Sequence, residues 1–137
     1  MFPQFTTIVA RQTIATSAER AWSRIGSFAD AGPFIGTTSS VVEGNGGLGS
    51  IRRVGDAVTE VMVGQTATSY TYAQVEGPMA SRLYHGCLSV EAAGPYRCVL
   101  AWTLTYDQTM ASESQRMEEH ARLTQRFEAG ALAMKQA

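Results

Sequence analysis

Nowhere in the 137-residue chain does an apolar run approach the ~18 residues that a membrane-crossing helix needs. The opening MFPQFTTIVARQ has neither a basic start nor an apolar stretch of the export-signal kind, so a cytoplasmic location is expected. Charge of one sign is not in excess either. A formal net charge of -1 provides no basic field for nucleic acid or anionic lipid, so no nucleic-acid partner is expected, and without a long apolar run no membrane span is expected either. The two histidines lie apart from any cluster of Cys, Asp or Glu with ligand spacing, which argues against a metal, and no other cofactor is implied. No Ser-His-Asp or Cys-His motif is present. Cysteine is scarce: Cys87 and Cys98 fall in the two strands of one hairpin, on opposite faces by alternation, so they are expected as free thiols in a reducing compartment.

What is there describes an ordinary globule. Hydrophobic residues make up 45% and charged residues 17%, enough apolar material for one core, and residues 1–137 read as a single domain without repeats or linkers. Ser112 to Lys135 is a long amphipathic helix of about six turns. Ser112 and Gln115 have capping-box spacing, acidic residues lie toward its start and Lys135 at its end. At helical period Met117, Ala121, Thr124, Phe127, Ala131 and Met134 form one stripe, with His120 beside Met117 and Thr124 on the same side. The stripe is thin, Gly130 lies next to it, and a thin stripe leaves room for a cavity.

Almost everything before that helix reads as strand. Phe5 to Ala15 is the first, followed by a helix capped by Thr16 or Ser17 with Ala21, Trp22 and Ile25 as its apolar face, and a short second helix over Phe28 to Ala31. Strands follow over Thr38–Glu43, Ser50–Val54, Val58–Val63, Thr68–Glu76, Arg82–Glu91 and Tyr96–Tyr106, joined by Gly-, Asn- and Pro-rich turns. Gly44-Asn45-Gly46-Gly47-Leu48-Gly49 is one of these turns, since no helix follows it to hold a phosphate. Short turns between consecutive strands make an antiparallel meander, and a lone long helix must bury its stripe on one face of it. Alternation puts Tyr70, Tyr72, Tyr84, Leu88, Trp102 and Tyr106 on the helix-facing side.

Glu60 stands between Val58 and Met62 on the face that alternation turns inward. A carboxylate there is costly to bury unless paired, and Arg52 comes directly opposite if Gly55-Asp56-Ala57 is a three-residue loop. Such a pair fits either a polar anchor for a ligand or an ion pair that satisfies itself. The aromatic wall fits either a pocket or core packing. His120 fits either a general base or a boundary residue.

Thr13–Ala29 (TIATSAERAWSRIGSFA), Gly46–Gly55 (GGLGSIRRVG), Val58–Met62 (VTEVM), Ser69–Tyr72 (SYTY) and Leu100–Tyr106 (LAWTLTY), in this order and spacing, resemble the START-like, birch-pollen-allergen-like (SRPBCC) superfamily, in its polyketide cyclase/dehydrase-like bacterial branch. The resemblance implies an α+β helix-grip fold: a curved seven-stranded antiparallel sheet around a long C-terminal helix, with one or two short helices after the first strand. It implies a deep cavity for a hydrophobic small molecule such as a lipid, sterol, polyketide or quinone. Glu60 then stands where members carry a pocket-facing glutamate, and Arg52 where they carry a strand arginine. Phe34 occupies the stretch where the bacterial pattern often has Trp. The candidate ligand-binding set is Phe34, Arg52, Glu60, Met62, Tyr70, Tyr72, Tyr84, Leu88, Trp102, Met117, His120 and Thr124. A cyclase- or aromatase-like enzyme would use Glu60 or His120 as acid/base in the same cavity, a co-chaperone-like module would instead have a filled cavity, and a homodimer is left open.

Overall fold

The computed structural model describes residues 2–137. Its elements are β1 (Phe5–Ile14), α1 (Ala18–Ile25), α2 (Gly32–Ile35), β2 (Ser39–Glu43), β3 (Ile51–Val54), β4 (Val58–Thr66), β5 (Ser69–Glu76), a 3-10 turn (Ala80–Arg82), β6 (His85–Ala92), β7 (Cys98–Asp107) and α3 (Glu113–Lys135). The strands form one seven-stranded sheet in the order β1-β7-β6-β5-β4-β3-β2, every neighbouring pair antiparallel. This is the expected helix-grip arrangement, a meander with β1 joined to the far edge through β7.

The local chemistry explains the boundaries. Ser17 caps α1 by accepting from the Arg20 amide at 3.2 Å. Ser112 and Gln115 form the reciprocal capping box of α3. The short second helix forms at Gly32–Ile35 rather than Phe28–Ala31. Pro33 sits in its first turn, where a missing amide hydrogen costs nothing, and Gly36 closes it in the left-handed region at φ 80°.

Alternation assigned the sheet faces correctly. Cys98, Leu100, Trp102, Leu104 and Tyr106 are buried along β7, and Leu88 and Val90 along β6. Cys98 points into this core and Cys87 to the other face, and both are free thiols.

The inward row of α3 differs from the expected one. Leu123, Phe127, Gly130, Ala131 and Met134 are buried, whereas Met117 is 71% exposed and His120 lies in solvent. Thr124 is only half-buried. One turn earlier the row continues through a charged residue: Glu119 takes two hydrogen bonds from Arg82, at 2.6 and 2.9 Å. A paired carboxylate therefore holds a position where the apolar pattern favoured Met117.

The thin part of α3 is filled. At Gly130 an added Cβ would run into the Trp102 ring and lie 2.7 Å from the Phe34 carbonyl oxygen, so α2 and β7 both close on the helix there. Gly130→Ala gains about 1 kcal/mol of helix propensity. It also forces apart a ring and a backbone carbonyl, an overpacking cost of about 1–3 kcal/mol. The expected outcome in urea unfolding is a net loss of up to about 2 kcal/mol.

Candidate functional site

A polar row crosses the inner face of the sheet. Arg52 on β3 is directly opposite Glu60 on β4, as a three-residue turn requires. A bulge between Thr59 and Glu60 then brings Glu60 opposite Gln74 on β5. The Gln74 amide donates to the carbonyl of Tyr84 at 2.9 Å, which sets Tyr84 next in the row. Leu83 precedes it in the left-handed region (φ 52°, ψ 36°), a conformation costing a branched residue about 1–2 kcal/mol, and this bend carries the chain out of the 3-10 turn into β6. All four side chains of the row are at least nine-tenths buried.

Arg52 is fully engaged. Its Nε donates to Glu60 Oε1 at 3.0 Å, its Nη2 is ion-paired with the same oxygen at 2.8 Å, and its Nη1 donates to the Phe28 carbonyl at 3.0 Å and to the Tyr70 hydroxyl at 3.4 Å. Its guanidinium carbon lies 4.2 Å from the Phe28 ring centre and 4.8 Å from that of Tyr72. Burial works against its charge, but Tyr70 and Glu60 outweigh that and raise its pKa, so it remains a cation.

Glu60 is engaged on one side only. Both Arg52 contacts, one hydrogen bond and one ion pair, end on Oε1, and none of the described residues donates to Oε2. Burial pushes its carboxyl above the usual range, and Arg52 pulls it only part of the way back. Tyr84 and Tyr72 are also pushed up, first by burial and then by the Glu60 charge, so both phenols keep their protons at neutral pH. The Gln74 oxygen accepts from the Met79 amide at 2.8 Å, while its NH2 group and the Tyr84 hydroxyl have no hydrogen-bond partner among the described residues.

These groups border a pocket of about 70 Å³. Arg52, Glu60, Gln74, Tyr72, Tyr84 and Trp102 come from the sheet, Val54 and Val58 from the two ends of the β3–β4 turn, Ile35 from α2, and Phe127 and Arg126 from α3. The deep cavity that was expected is thus a small one. It lies well below the ~300 Å³ at which ligand pockets usually begin, though several times what one water needs.

Five of the expected residues line it: Arg52, Glu60, Tyr72, Tyr84 and Trp102. Met62, Tyr70 and Leu88 are buried in the core without bordering it. Phe34 packs against the core from α2 and leaves the pocket wall to its neighbour Ile35. Met117 and His120 border a separate open groove with Thr6 and Gln108, and Thr124 borders neither. The polar atoms of Trp102, Tyr72 and Tyr70 are satisfied within the protein, since Trp102 Nε1 donates to the Tyr72 hydroxyl at 3.0 Å and Arg52 donates to that of Tyr70.

Sequence reasoning overlooked Ile35, Val54, Val58, Gln74, Arg126 and Phe127 as pocket residues. For Gln74 a signal existed, because it follows Tyr70 and Tyr72 at strand period.

The profile of the family described as "Polyketide cyclase / dehydrase and lipid transport" matches residues 6–137. No curated protein sequence matches the chain. Among solved structures, one from Thermobifida fusca aligns with a TM-score of 0.80 at 17% identity, covering 94% of this chain and 90% of the other. The Zhui aromatase/cyclase from Streptomyces sp. R1128 aligns at 0.76 and 16% identity, covering 96% and 92%. Norcoclaurine synthase from Thalictrum flavum, solved with dopamine and hydroxybenzaldehyde, aligns at 0.72 and 18%, covering 98% and 86%. At such identities these likenesses carry the fold alone.

Proposed function

The chain belongs to the polyketide cyclase / dehydrase and lipid transport family, and from that premise we propose that it binds a hydrophobic small molecule whose polar end meets Glu60, Gln74 and Tyr84. The observation that carries this reading is the half-engaged carboxylate. An ion pair serving only the fold would be expected to use both oxygens, because a buried acceptor without a donor is costly. Here Oε2 is left to a pocket that also offers the Tyr84 hydroxyl and the Gln74 amide as donors. With about 70 Å³ available, the enclosed part admits the polar tip of a ligand, and the apolar remainder passes between Ile35, Val54, Val58 and Phe127. A bulkier occupant requires α2 to move, and α2 is a single turn bounded by Gly32 and Gly36.

Native mass spectrometry of the gently purified protein, then of protein mixed with a hydrophobic library, identifies the occupant. Glu60→Gln keeps an amide oxygen for Arg52 and removes the charge. The affinity of a hydroxyl-bearing ligand is expected to fall about 10–100-fold, the loss of one charge-assisted hydrogen bond. Equal affinity in both forms, or no occupant from any source, overturns the reading.

A second reading, catalysis in the same pocket, is favoured by the raised pKa of Glu60 beside the protonated Tyr84 phenol. That combination suits moving a proton next to a carbonyl that a tyrosine polarises. Turnover of an enolisable ketone that vanishes in Glu60→Gln supports it, and binding without turnover leaves the first reading alone. His120 has no part in either, being exposed and outside the pocket.

A further inference from the structure

Building on that reading, we infer that the ligand is an organic monoanion: a carboxylic acid whose carboxylate rests at the mouth of the pocket against Arg126, with a hydroxyl at its other end for Glu60. The pocket wall contains two arginines and one glutamate, so its charges do not cancel. Arg52 is matched by Glu60 and has no nitrogen free to turn toward the opening. Arg126 is the unmatched one. It is exposed on α3, lines the pocket, and makes no hydrogen bond or ion pair with any described residue. Arg122, one turn earlier, is turned to Glu118 at 3.6 Å on the solvent side. Both arginines act on the Tyr84 phenol, which places their field at this opening.

The chemistry is therefore graded along the pocket. The buried end has a carboxylate oxygen that needs a donor. The walls are Ile35, Val54, Val58 and Phe127, and the open end is a planar cation. A guanidinium fork suits a carboxylate better than any neutral group. An alkane satisfies only the middle of this gradient, and a neutral sterol only the middle and, through its hydroxyl, the buried end.

The probes are para-hydroxyphenylpropanoic acid, its primary amide, and the neutral alcohol decanol, titrated at low salt into the wild type, Arg126→Gln and Glu60→Gln. The acid is expected to bind about tenfold more tightly than the amide. That preference should disappear in Arg126→Gln and shrink as ionic strength rises past ~0.1 M. Because Arg126 is a surface residue, its variant is expected to fold like the wild type. Acid and amide binding equally, both weakened by Glu60→Gln, overturns the inference and leaves the binding reading intact. An acid preference that persists in Arg126→Gln also overturns it. Decanol bound with neither phenol overturns the inference alone; none of the three bound counts against the pocket itself.

Discussion

Arg52→Ala is expected to lose about 3–5 kcal/mol of folding stability in urea, a large fraction of the about 5–15 kcal/mol that holds a typical domain together. The cost does not come from losing a favourable charge pair, because two buried charges roughly offset their own desolvation. It comes from what stays behind. Glu60 is 6% exposed and would be a buried carboxylate without a cation, the Phe28 carbonyl would lose its donor, and the rings of Phe28 and Tyr72 would face a void. The double variant Arg52→Met, Glu60→Leu removes both charges and should recover most of the loss. If the double variant is as unstable as the single one, the guanidinium's packing dominates and the electrostatic account is wrong.

The pH dependence of that loss has a definite sign. Burial already raises the Glu60 carboxyl, and without Arg52 it rises further. An acid whose folded pKa exceeds its unfolded one contributes stability that is fully present below the unfolded value, about 4.5 for glutamate, and is lost as pH rises through the folded value. Arg52→Ala should therefore lie closest to the wild type under mildly acidic conditions and fall furthest below it at alkaline pH. A gap that does not change with pH would mean that Glu60 is not the group left stranded.

Phe127→Ala is expected to cost about 3–5 kcal/mol, or roughly 10–20 °C in Tm. Phe127 is 2% exposed, and its ring centre lies 4.3 Å from that of Trp102, the main aromatic contact between α3 and the sheet. The same ring lines the pocket, so its removal should enlarge that pocket. The variant should be less stable and yet bind bulkier apolar probes than the wild type, a combination that calorimetry with and without probe can detect. A drop below about 1 kcal/mol would show that this contact does not clamp the helix to the sheet.

Much of this architecture could be read directly because its signals are local. Period-two alternation in β6 and β7 separated Leu88 and Trp102 from Cys87 and Thr103, and a three-residue turn was enough to set Arg52 opposite Glu60. The errors arose where the deciding interaction is distant in sequence. Glu119 turns inward because its partner, Arg82, lies 37 residues away, and that sets the inward row of α3 through Glu119 and Leu123 rather than through Met117, His120 and Thr124, while Phe127 belongs to both. Gln74 faces inward at the strand period of Tyr70 and Tyr72, but its place opposite Glu60 depends on shifts in the β4–β5 register at Met62–Gly64 and Thr59–Glu60, and such shifts leave little trace in an alternation pattern. The size of the cavity was overestimated for a similar reason: Gly130 and Ala131 are small because Trp102 and α2 press against them, a fact belonging to three segments at once.

The central claim is that the space between α3 and the sheet, floored by Arg52 and Glu60, receives a hydrophobic molecule by its polar end. The most direct measurement is methyl- and amide-resolved NMR during titration with a mixed library of small hydrophobic compounds. Saturable shifts confined to Ile35, Val54, Val58, Gln74 and the Arg126–Phe127 turn of α3 are the predicted result. Shifts restricted to the outer face of the sheet, or none with any compound, would contradict it.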